Sequence, residues 1–238
     1  MHITIQQARV SPQQKIIMSD QAKSASSLAG ELNEFKESWN VKAGEALVKT
    51  FENGIEELNT SGLVDRALKI GDKAPEFELK NALHKPVKLS SLLKAGPVII
   101  TWYRGGWCPY CNIQLRFLQN FLPQFKAAGA TLVALSPELP DKSLNTTEKN
   151  NLEFEVLTDY NNAVAREFGI AFTLNDELVD IYNGFHKLET FNGVDTNELP
   201  IPATYVIGTD GLIKYAFIDP DYRKRAEPTA ILEVLKTL

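Results

Sequence analysis

The sequence predicts an α/β fold, with a central mixed sheet flanked by helices and preceded by a helical extension. From residue 63 onward, short apolar runs alternate with helical patterns, and Gly, Pro and Asp separate them. The run from Val98 to Tyr103 is almost unbroken apolar and β-branched, as in a central strand covered on both faces. Before residue 63, apolar residues recur only at helical spacing. We therefore expect an extension over residues 1–62 and an α/β domain over residues 63–238.

The extension has an aperiodic start followed by two amphipathic helices. Residues 1 to about 18 show no periodicity, so we expect them to be disordered. The two helices carry apolar residues at Leu28, Leu32, Phe35 and Trp39, and at Leu47, Val48, Phe51, Ile55 and Leu58. Two such helices cannot stabilise themselves, so their apolar faces must be covered. We favour packing against the same chain, and the alternative is a contact between the subunits of a homodimer.

The α/β domain begins with a small hairpin and continues as a βαβ unit. The predicted strands are Phe77–Leu79, Pro86–Leu89, Val98–Tyr103, Thr131–Leu135, Phe154–Leu157, Thr204–Ile207 and Leu212–Ile218. The predicted helices begin near Ser90, Cys108, Ala163, Asn175 and Pro228, and the fourth of them extends from Asn175 to Leu188. Gly129 ends the second of these helices, and the crossover that contains it should be right-handed.

Composition and charge exclude several classes of partner. The net charge is −5 and the isoelectric point is about 5.4, so no electrostatic attraction to nucleic acid or to an anionic membrane is expected. No stretch approaches the ~20 apolar residues of a membrane span. The segment Met1–Gln14 lacks the apolar core of a secretion signal. We therefore expect a cytoplasmic location, where a neighbouring cysteine pair is reactive rather than structural.

The only two cysteines, Cys108 and Cys111, directly follow the predicted central strand. A C-x-x-C at a strand-to-helix junction is typical of a thioredoxin-like redox site. Pro109 falls at the first helical position and stiffens the turn that holds both sulfurs. Because backbone N–H groups and the positive helix end favour a thiolate in the first turn, we expect Cys111 to be ionised and Cys108 to be the more exposed thiol. Two thiols at this spacing can cycle between dithiol and disulfide.

The residues around the cysteines extend the predicted site. Gly105 and Gly106 permit a sharp exit from the strand and leave open space above the sulfurs. Arg104 either adds positive charge near a thiolate or lies solvated at the strand end. Trp107 and Tyr110 are either core aromatics or a wall of the substrate site.

A proline stands directly before the predicted strand Thr204–Ile207. We expect a cis bond between Ile201 and Pro202, placed beside the sulfurs, which leaves the neighbouring backbone free to pair with an extended thiol substrate. The alternative is a trans proline at the strand entry. The charge-dense segment Asp219–Arg225 is expected to shape the fold rather than the chemistry.

From Gly71 to Leu238, about seventy per cent of its length, the chain resembles the AhpC/TSA group of the thioredoxin superfamily. More narrowly, it is similar to the peroxiredoxin-like branch that carries a C-x-x-C. The segments that carry the resemblance are Gly71–Phe77, Trp102–Cys111, Ile201–Thr204 and Asp219–Arg223. The resemblance implies a thioredoxin-like fold, peroxide chemistry at a cysteine, and thioredoxin, glutaredoxin or glutathione as the reductant.

Within this resemblance, Cys111 takes the position of the peroxidatic cysteine. Cys108 replaces the threonine that orients the peroxide, Arg104 replaces the proline of that loop, and Pro202 stands where peroxiredoxins place an arginine beside the thiolate. The missing threonine and arginine would bind the peroxide oxygens and stabilise developing charge. These departures weaken the expectation of fast peroxide reduction.

Three functional hypotheses follow. In the first, which we favour, a peroxiredoxin-like peroxidase uses Cys111 as the attacking thiolate and Cys108 as the resolving thiol. In the second, a thiol–disulfide oxidoreductase uses Cys108 as the nucleophile and Cys111 as the resolving thiol. The third is a catalytically weak thioredoxin-fold module whose helices mediate association. In either enzyme, Arg104, Trp107, Pro109, Tyr110, Ile201 and Pro202 are the candidate substrate-positioning residues.

Metal, cofactor and structural-disulfide interpretations find little support in the sequence. The histidines His2, His84 and His186 are scattered without ligand spacing, and a zinc site needs further ligands beside the two cysteines. We therefore expect no metal and no cofactor. His186 is expected to be a surface or half-buried residue rather than a proton shuttle. A structural disulfide is disfavoured because so small a loop contributes little chain-entropy stabilisation.

Overall fold

The computed structural model describes residues 27–238. The predicted disordered start and His2 lie outside the described residues. Among the residues described, no helix is both long enough and apolar enough to cross a membrane.

The described residues form helices α1–α10 and strands β1–β9. The helices are α1 Leu28–Ala43, α2 Glu45–Thr60, α3 Leu63–Arg66, α4 Leu89–Leu93, α5 Pro109–Ala127, α6 Pro140–Asn150, α7 Ala163–Glu167, α8 Asp176–Phe185, α9 Glu189–Asn192 and α10 Pro228–Leu235. The strands are β1 Glu78–Asn81, β2 Pro86–Lys88, β3 Val98–Trp102, β4 Thr131–Ser136, β5 Glu155–Thr158, β6 Ala171–Thr173, β7 Glu198–Pro200, β8 Thr204–Ile207 and β9 Ile213–Phe217. A short 3-10 turn, Tyr160–Asn162, precedes α7.

Seven strands form one mixed sheet in the order β2-β1-β5-β4-β3-β8-β9. Strands β3, β4 and β5 run parallel, whereas β8 and β9 continue the sheet as an antiparallel pair on one side and β1 and β2 on the other. Strands β6 and β7 form a separate two-stranded sheet. The predicted βαβ unit and the leading hairpin are confirmed, and the last two predicted strands pair antiparallel as β8 and β9.

Strand β3 shows why the sheet is covered on both faces. Val98, Ile100 and Trp102 belong to one hydrophobic cluster, and Ile99 belongs to the other. This alternation follows from the period of two along a strand. Helices α1, α5 and α10 pack on the Ile99 face, whereas residues of α3, α4 and α7 pack on the opposite face. The predicted central strand is therefore confirmed and fully buried.

The two predicted helices of the extension are confirmed and pack against their own chain. Ser27 caps α1 through its side chain, which accepts a hydrogen bond from the N–H of Gly30 at 3.0 Å. The carboxylate of Glu227, just before α10, accepts hydrogen bonds from the N–H groups of Leu28 and Ala29 at 3.2 and 2.8 Å. Leu28 is fully buried in the domain core. The division of the chain at residue 62 remains a prediction.

Four features of the fold differ from the sequence expectations. Helix α6 and the β6–β7 pair were not predicted, and the predicted helix Asn175–Leu188 ends at Phe185. The expected cis bond before Pro202 is wrong, because residues 27–238 contain only trans peptide bonds. The N–H of Ala203 instead donates to the carbonyl of Ile201 at 2.7 Å, a tight turn that leads the chain into β8.

Candidate active site

The cysteine pair lies at the turn between β3 and α5, as predicted. Cys108 is the N-cap residue with extended backbone, Pro109 opens α5, and Cys111 lies in its first turn. Both thiols are reduced and buried, Cys108 with 2% and Cys111 with 0% of its surface exposed. The predicted difference in exposure is therefore small.

A cavity of about 280 Å³ opens beside Cys108. Its wall is mostly aromatic, and it brings together four of the predicted positioning residues with one of the two cysteines. The lining residues are Phe35, Trp39, Phe51, Arg104, Trp107, Cys108, Pro109, Tyr110, Tyr182, Phe185, His186 and Tyr222. Cys111 does not line the cavity. Trp107 and Tyr110 therefore form part of its wall.

Arg104 is buried rather than solvated, with only 3% of its surface exposed. Its guanidinium lies 4.2 Å from the ring centre of Tyr222, 5.0 Å from that of Trp107 and 5.3 Å from that of Tyr182, and it donates a hydrogen bond to the Tyr182 hydroxyl. The faces of aromatic rings stabilise a cation that has lost its water. An aromatic cage thus holds a positive charge next to the cysteines.

Arg225 supplies a second positive charge that the sequence analysis missed. Its Nη2 donates to the Cys111 sulfur at 3.5 Å, and its Nε donates to the side-chain oxygen of Gln114 at 2.6 Å. The Nη1 of Arg225 also donates hydrogen bonds to the backbone carbonyls of Tyr222 and Lys224, and these bonds hold the guanidinium in place. The expectation that Asp219–Arg225 shapes only the fold is wrong, because its last residue folds inward onto the sulfur.

These contacts determine how the two thiols ionise. Burial opposes the ionisation of Cys111, but the hydrogen bond from Cys108, the charges of Arg225 and Arg104, and the backbone N–H of Arg104 lower its pKa to about 5. Burial and the hydrogen bond to Cys111 raise the pKa of Cys108. The pair thus holds one proton, on Cys108, and one negative charge, on Cys111. The Cys111 thiolate is therefore stabilised by two arginine side chains, of which the sequence had suggested only Arg104.

Glu138 is a buried carboxyl group behind the turn that carries Cys108. Its oxygens accept hydrogen bonds from the N–H of Gly106 at 2.9 Å, the Tyr103 hydroxyl at 3.3 Å and the Thr146 hydroxyl at 3.4 Å. Burial raises its pKa to about 7 despite these donors, and the negative charge on Cys111 contributes in the same direction. A second titrating group therefore lies close enough to sense the cysteine charge.

Helix α6 holds the turn before the cysteines in place. Asn112 donates to the carbonyls of Gly106 and Cys108 at 2.8 and 2.9 Å, and Asn150 of α6 donates to the Asn112 side-chain oxygen at 2.7 Å. A Cβ on Gly106 would lie 2.0 Å from the Thr146 hydroxyl oxygen. A Cβ on Gly105 would likewise lie 2.2 Å from the Trp107 ring nitrogen, so both glycines are needed because side chains fill the space beside them. The open space that was expected at the sulfurs is present on the Cys108 side, as the cavity.

Two of the predicted positioning residues, Ile201 and Pro202, lie away from the cavity wall. Ile201 is buried in the cluster on the Trp102 face, and neither it nor Pro202 lines the cavity. His186 is half-buried and stacks against Trp107, with ring centres 4.7 Å apart. Over residues 27–238, no group of three or more His, Cys, Asp or Glu side chains could hold a metal ion.

The known proteins to which this chain is similar are named as peroxiredoxins or peroxidoxins. A putative peroxiredoxin bcp from Buchnera aphidicola is 35% identical over 103 residues, 43% of this chain and 65% of the relative. A putative peroxiredoxin bcp from Haemophilus influenzae is 30% identical over 121 residues, 51% of this chain and 77% of the relative. The crystal structure of peroxidoxin BcpB from Mycobacterium tuberculosis matches with a TM-score of 0.57 at 22% identity, covering 72% of this chain and 98% of that one.

The structural match supports the predicted thioredoxin-like fold. The model of the AhpC/TSA family matches residues 70–216, more than half of the chain, and this span contains both cysteines and Arg104. Arg225 and the extension lie outside it. The chain belongs to the AhpC/TSA family, in the peroxiredoxin-like part of the thioredoxin superfamily.

Proposed function

We propose that this protein is a thiol-dependent peroxidase that reduces hydroperoxides with Cys111 as the attacking thiolate and Cys108 as the resolving thiol. The observation that carries the proposal is the position of the Cys111 sulfur. It contacts the Arg225 guanidinium and accepts a hydrogen bond from Cys108, and it is the sulfur whose pKa is lowered to about 5. The thiolate is the nucleophilic form, so near neutral pH Cys111 is ready to attack.

In the first step, the Cys111 thiolate attacks the terminal oxygen of the hydroperoxide. The S–O bond forms, the O–O bond breaks, and Cys111 becomes a sulfenic acid. The alkoxide that leaves takes the proton of Cys108, which is the proton the pair holds between its sulfurs. Arg225 and Arg104 supply the positive charge that stabilises the leaving oxygen. They take the place of the arginine that peroxiredoxins carry at the position of Pro202, which has no charge.

In the second step, the Cys108 thiolate attacks the Cys111 sulfenic sulfur. The disulfide forms and hydroxide leaves, so one hydroperoxide is reduced to an alcohol and two thiols are oxidised. An external dithiol then reduces the disulfide by exchange. We propose thioredoxin, glutaredoxin or glutathione as that reductant, and the cytoplasm as the compartment that supplies it.

This mechanism requires a local movement that opens a path from the cavity to Cys111. Cys108 lines the cavity whereas Cys111 is fully buried behind its wall. A hydroperoxide therefore reaches Cys111 only when the Cys108 side chain or the first turn of α5 moves aside. The same movement exposes the sulfenic acid to Cys108.

The cavity also favours a second candidate function, a thiol–disulfide oxidoreductase. In that reaction Cys108 would attack a substrate disulfide from the cavity and Cys111 would resolve the mixed disulfide. The observation in its favour is that Cys108 alone of the two thiols lines the cavity. The observation against it is the protonated state of Cys108, whose pKa is raised by burial and by the neighbouring thiolate.

The test treats Cys108→Ser and Cys111→Ser with hydrogen peroxide and follows intact mass. Under the peroxidase proposal, Cys108→Ser gains one or more oxygen atoms at Cys111, because the resolving thiol is missing, and Cys111→Ser does not react. If peroxide leaves both variants unchanged and Cys111→Ser traps a mixed disulfide through Cys108, the oxidoreductase is correct. The wild-type protein, which should form the disulfide and gain no oxygen, is the control.

A further inference from the structure

The extension supplies one wall of the cavity beside Cys108. Phe35 and Trp39 come from α1 and Phe51 comes from α2, both outside the residues that match the family. Phe35 meets Tyr110, which stands between the two cysteines, edge-on with ring centres 4.9 Å apart. Phe51 meets the Tyr182 ring in the same geometry at 6.0 Å. Aromatic side chains from two parts of the chain thus enclose one space.

Close contacts fasten this wall to the domain. A Cβ on Gly54 of α2 would lie 2.6 Å from the Leu178 side chain of α8, so the two helices approach closely. The Thr50 hydroxyl donates to Glu177 at 2.9 Å, and Asn175 donates to Glu57 at 2.6 Å. The rings of the extension are therefore fixed parts of the cavity.

The chemistry of the cavity selects against small polar oxidants. Hydrogen peroxide gains nothing from an apolar wall, whereas a ring gains both burial and edge-to-face contacts. Arg104 is the one cationic residue among the described residues that line the cavity, since the pKa of His186 is lowered by burial and by Arg104. The polar end of a ligand is thus drawn toward Arg104 and Cys108. The volume is at the small end of ligand pockets, which suits a single ring.

We propose that the extension makes this enzyme selective for aromatic hydroperoxides, whose ring is held by Phe35, Phe51 and Tyr110 while the peroxide group faces the cysteines. This inference rests on the proposed peroxidase function and adds its substrate class. The reaction is the one described above, with an aryl-substituted alcohol as product.

Two tertiary hydroperoxides test the proposal because they differ in one substituent. Cumene hydroperoxide carries a phenyl group where tert-butyl hydroperoxide carries a methyl group. Second-order rate constants for cysteine oxidation in the full-length protein are measured by stopped-flow tryptophan fluorescence, with hydrogen peroxide as the reference. The variants are Phe35→Leu and Phe51→Leu, which keep apolar volume but remove the ring. Phe121→Leu, a half-buried ring outside the cavity, is the matched control.

The wild-type protein should prefer cumene hydroperoxide over tert-butyl hydroperoxide by about tenfold or more, and each cavity variant should lower this ratio by roughly three- to tenfold. The rate with hydrogen peroxide, which carries no ring, is the reference that corrects each variant for any general change at the cysteines. Equal wild-type rates for the two tertiary hydroperoxides, or an equal fall in Phe121→Leu, would overturn the proposal. If no peroxide oxidises the wild-type cysteines, the peroxidase function fails first. In that case, binding of the alcohol 2-phenyl-2-propanol, measured by changes in amide chemical shifts, tests whether the cavity holds an aromatic ring. Absence of binding would overturn the proposed ring site.

Discussion

Replacing Arg225 by Gln should raise the pKa of Cys111, because it removes the guanidinium whose Nη2 lies 3.5 Å from the sulfur. A hydrogen bond to a charged group contributes about 1.5–3 kcal/mol, and one pKa unit corresponds to about 1.4 kcal/mol. The expected rise is therefore roughly one to two units from the value of about 5. Arg104 and the Cys108 hydrogen bond remain, so the pKa stays below that of a free thiol.

The assay is the pH dependence of Cys111 alkylation by iodoacetamide, quantified by peptide mass between about pH 4 and 9. The midpoint should move to roughly 6–7, and the rate at pH 6 should fall about two- to tenfold while the rate at pH 8 changes little. Lys224→Gln is the matched control, since it removes an adjacent positive charge that is exposed and pairs with Asp219 at 3.1 Å. Its midpoint should equal that of the wild-type protein.

Two outcomes would refute this reasoning. An unchanged midpoint in a folded Arg225→Gln protein, checked by circular dichroism, would mean that helix amides and Arg104 hold the thiolate without Arg225. Equal shifts in Arg225→Gln and Lys224→Gln would mean that net charge, not the contact at the sulfur, determines the pKa. Arg225→Lys shows whether the positive charge alone is sufficient. Lysine keeps the charge but lacks the planar guanidinium that donates hydrogen bonds to Gln114 and to the backbone.

Two further predictions concern the turn that carries the cysteines. Glu138→Gln should leave the pKa of Cys111 close to its wild-type value of about 5, measured by the same alkylation profile, because Glu138, with a pKa of about 7, is still protonated and neutral when Cys111 ionises. The pKa of Glu138 is raised on folding to about 7, so the folded state binds the extra proton and loses stability as pH rises from about 4.5 to 7. The free energy of urea unfolding of Glu138→Gln, relative to wild type, should therefore increase over this range by roughly 3 kcal/mol, and a constant difference would contradict the assigned burial. Gly106→Ala should destabilise the protein by about 1–3 kcal/mol, because the new Cβ would collide with Thr146. Gly184→Ala is the control: Gly184 lies in a helix with open space around it, so this change should stabilise the protein by about 0.5–1 kcal/mol. Equal melting temperatures of the two variants would argue against close packing at Gly106.

The elements that carry the cysteines could be predicted from local sequence patterns. The apolar run of β3, the proline at the start of α5 and the C-x-x-C are local signals, and local signals predict local structure. The helical spacing in α1 and α2 was equally clear, because amphipathic periodicity extends over several turns. Helix α6 was missed because polar residues dominate it and its apolar periodicity is weak.

The charges and rings that surround the sulfurs could not be predicted in this way, because the folded chain brings them together from distant segments. Arg225 lies 114 residues from Cys111 in the chain, and Phe35 lies on a helix for which the sequence left a contact with another subunit open as the alternative. Arg104 had two open interpretations, and three aromatic rings around its guanidinium decide between them. The pKa of a buried thiol depends on charges within a few ångströms, whatever their separation in sequence. The C-x-x-C motif therefore predicted redox chemistry, whereas the fold determines which of the two sulfurs bears the negative charge.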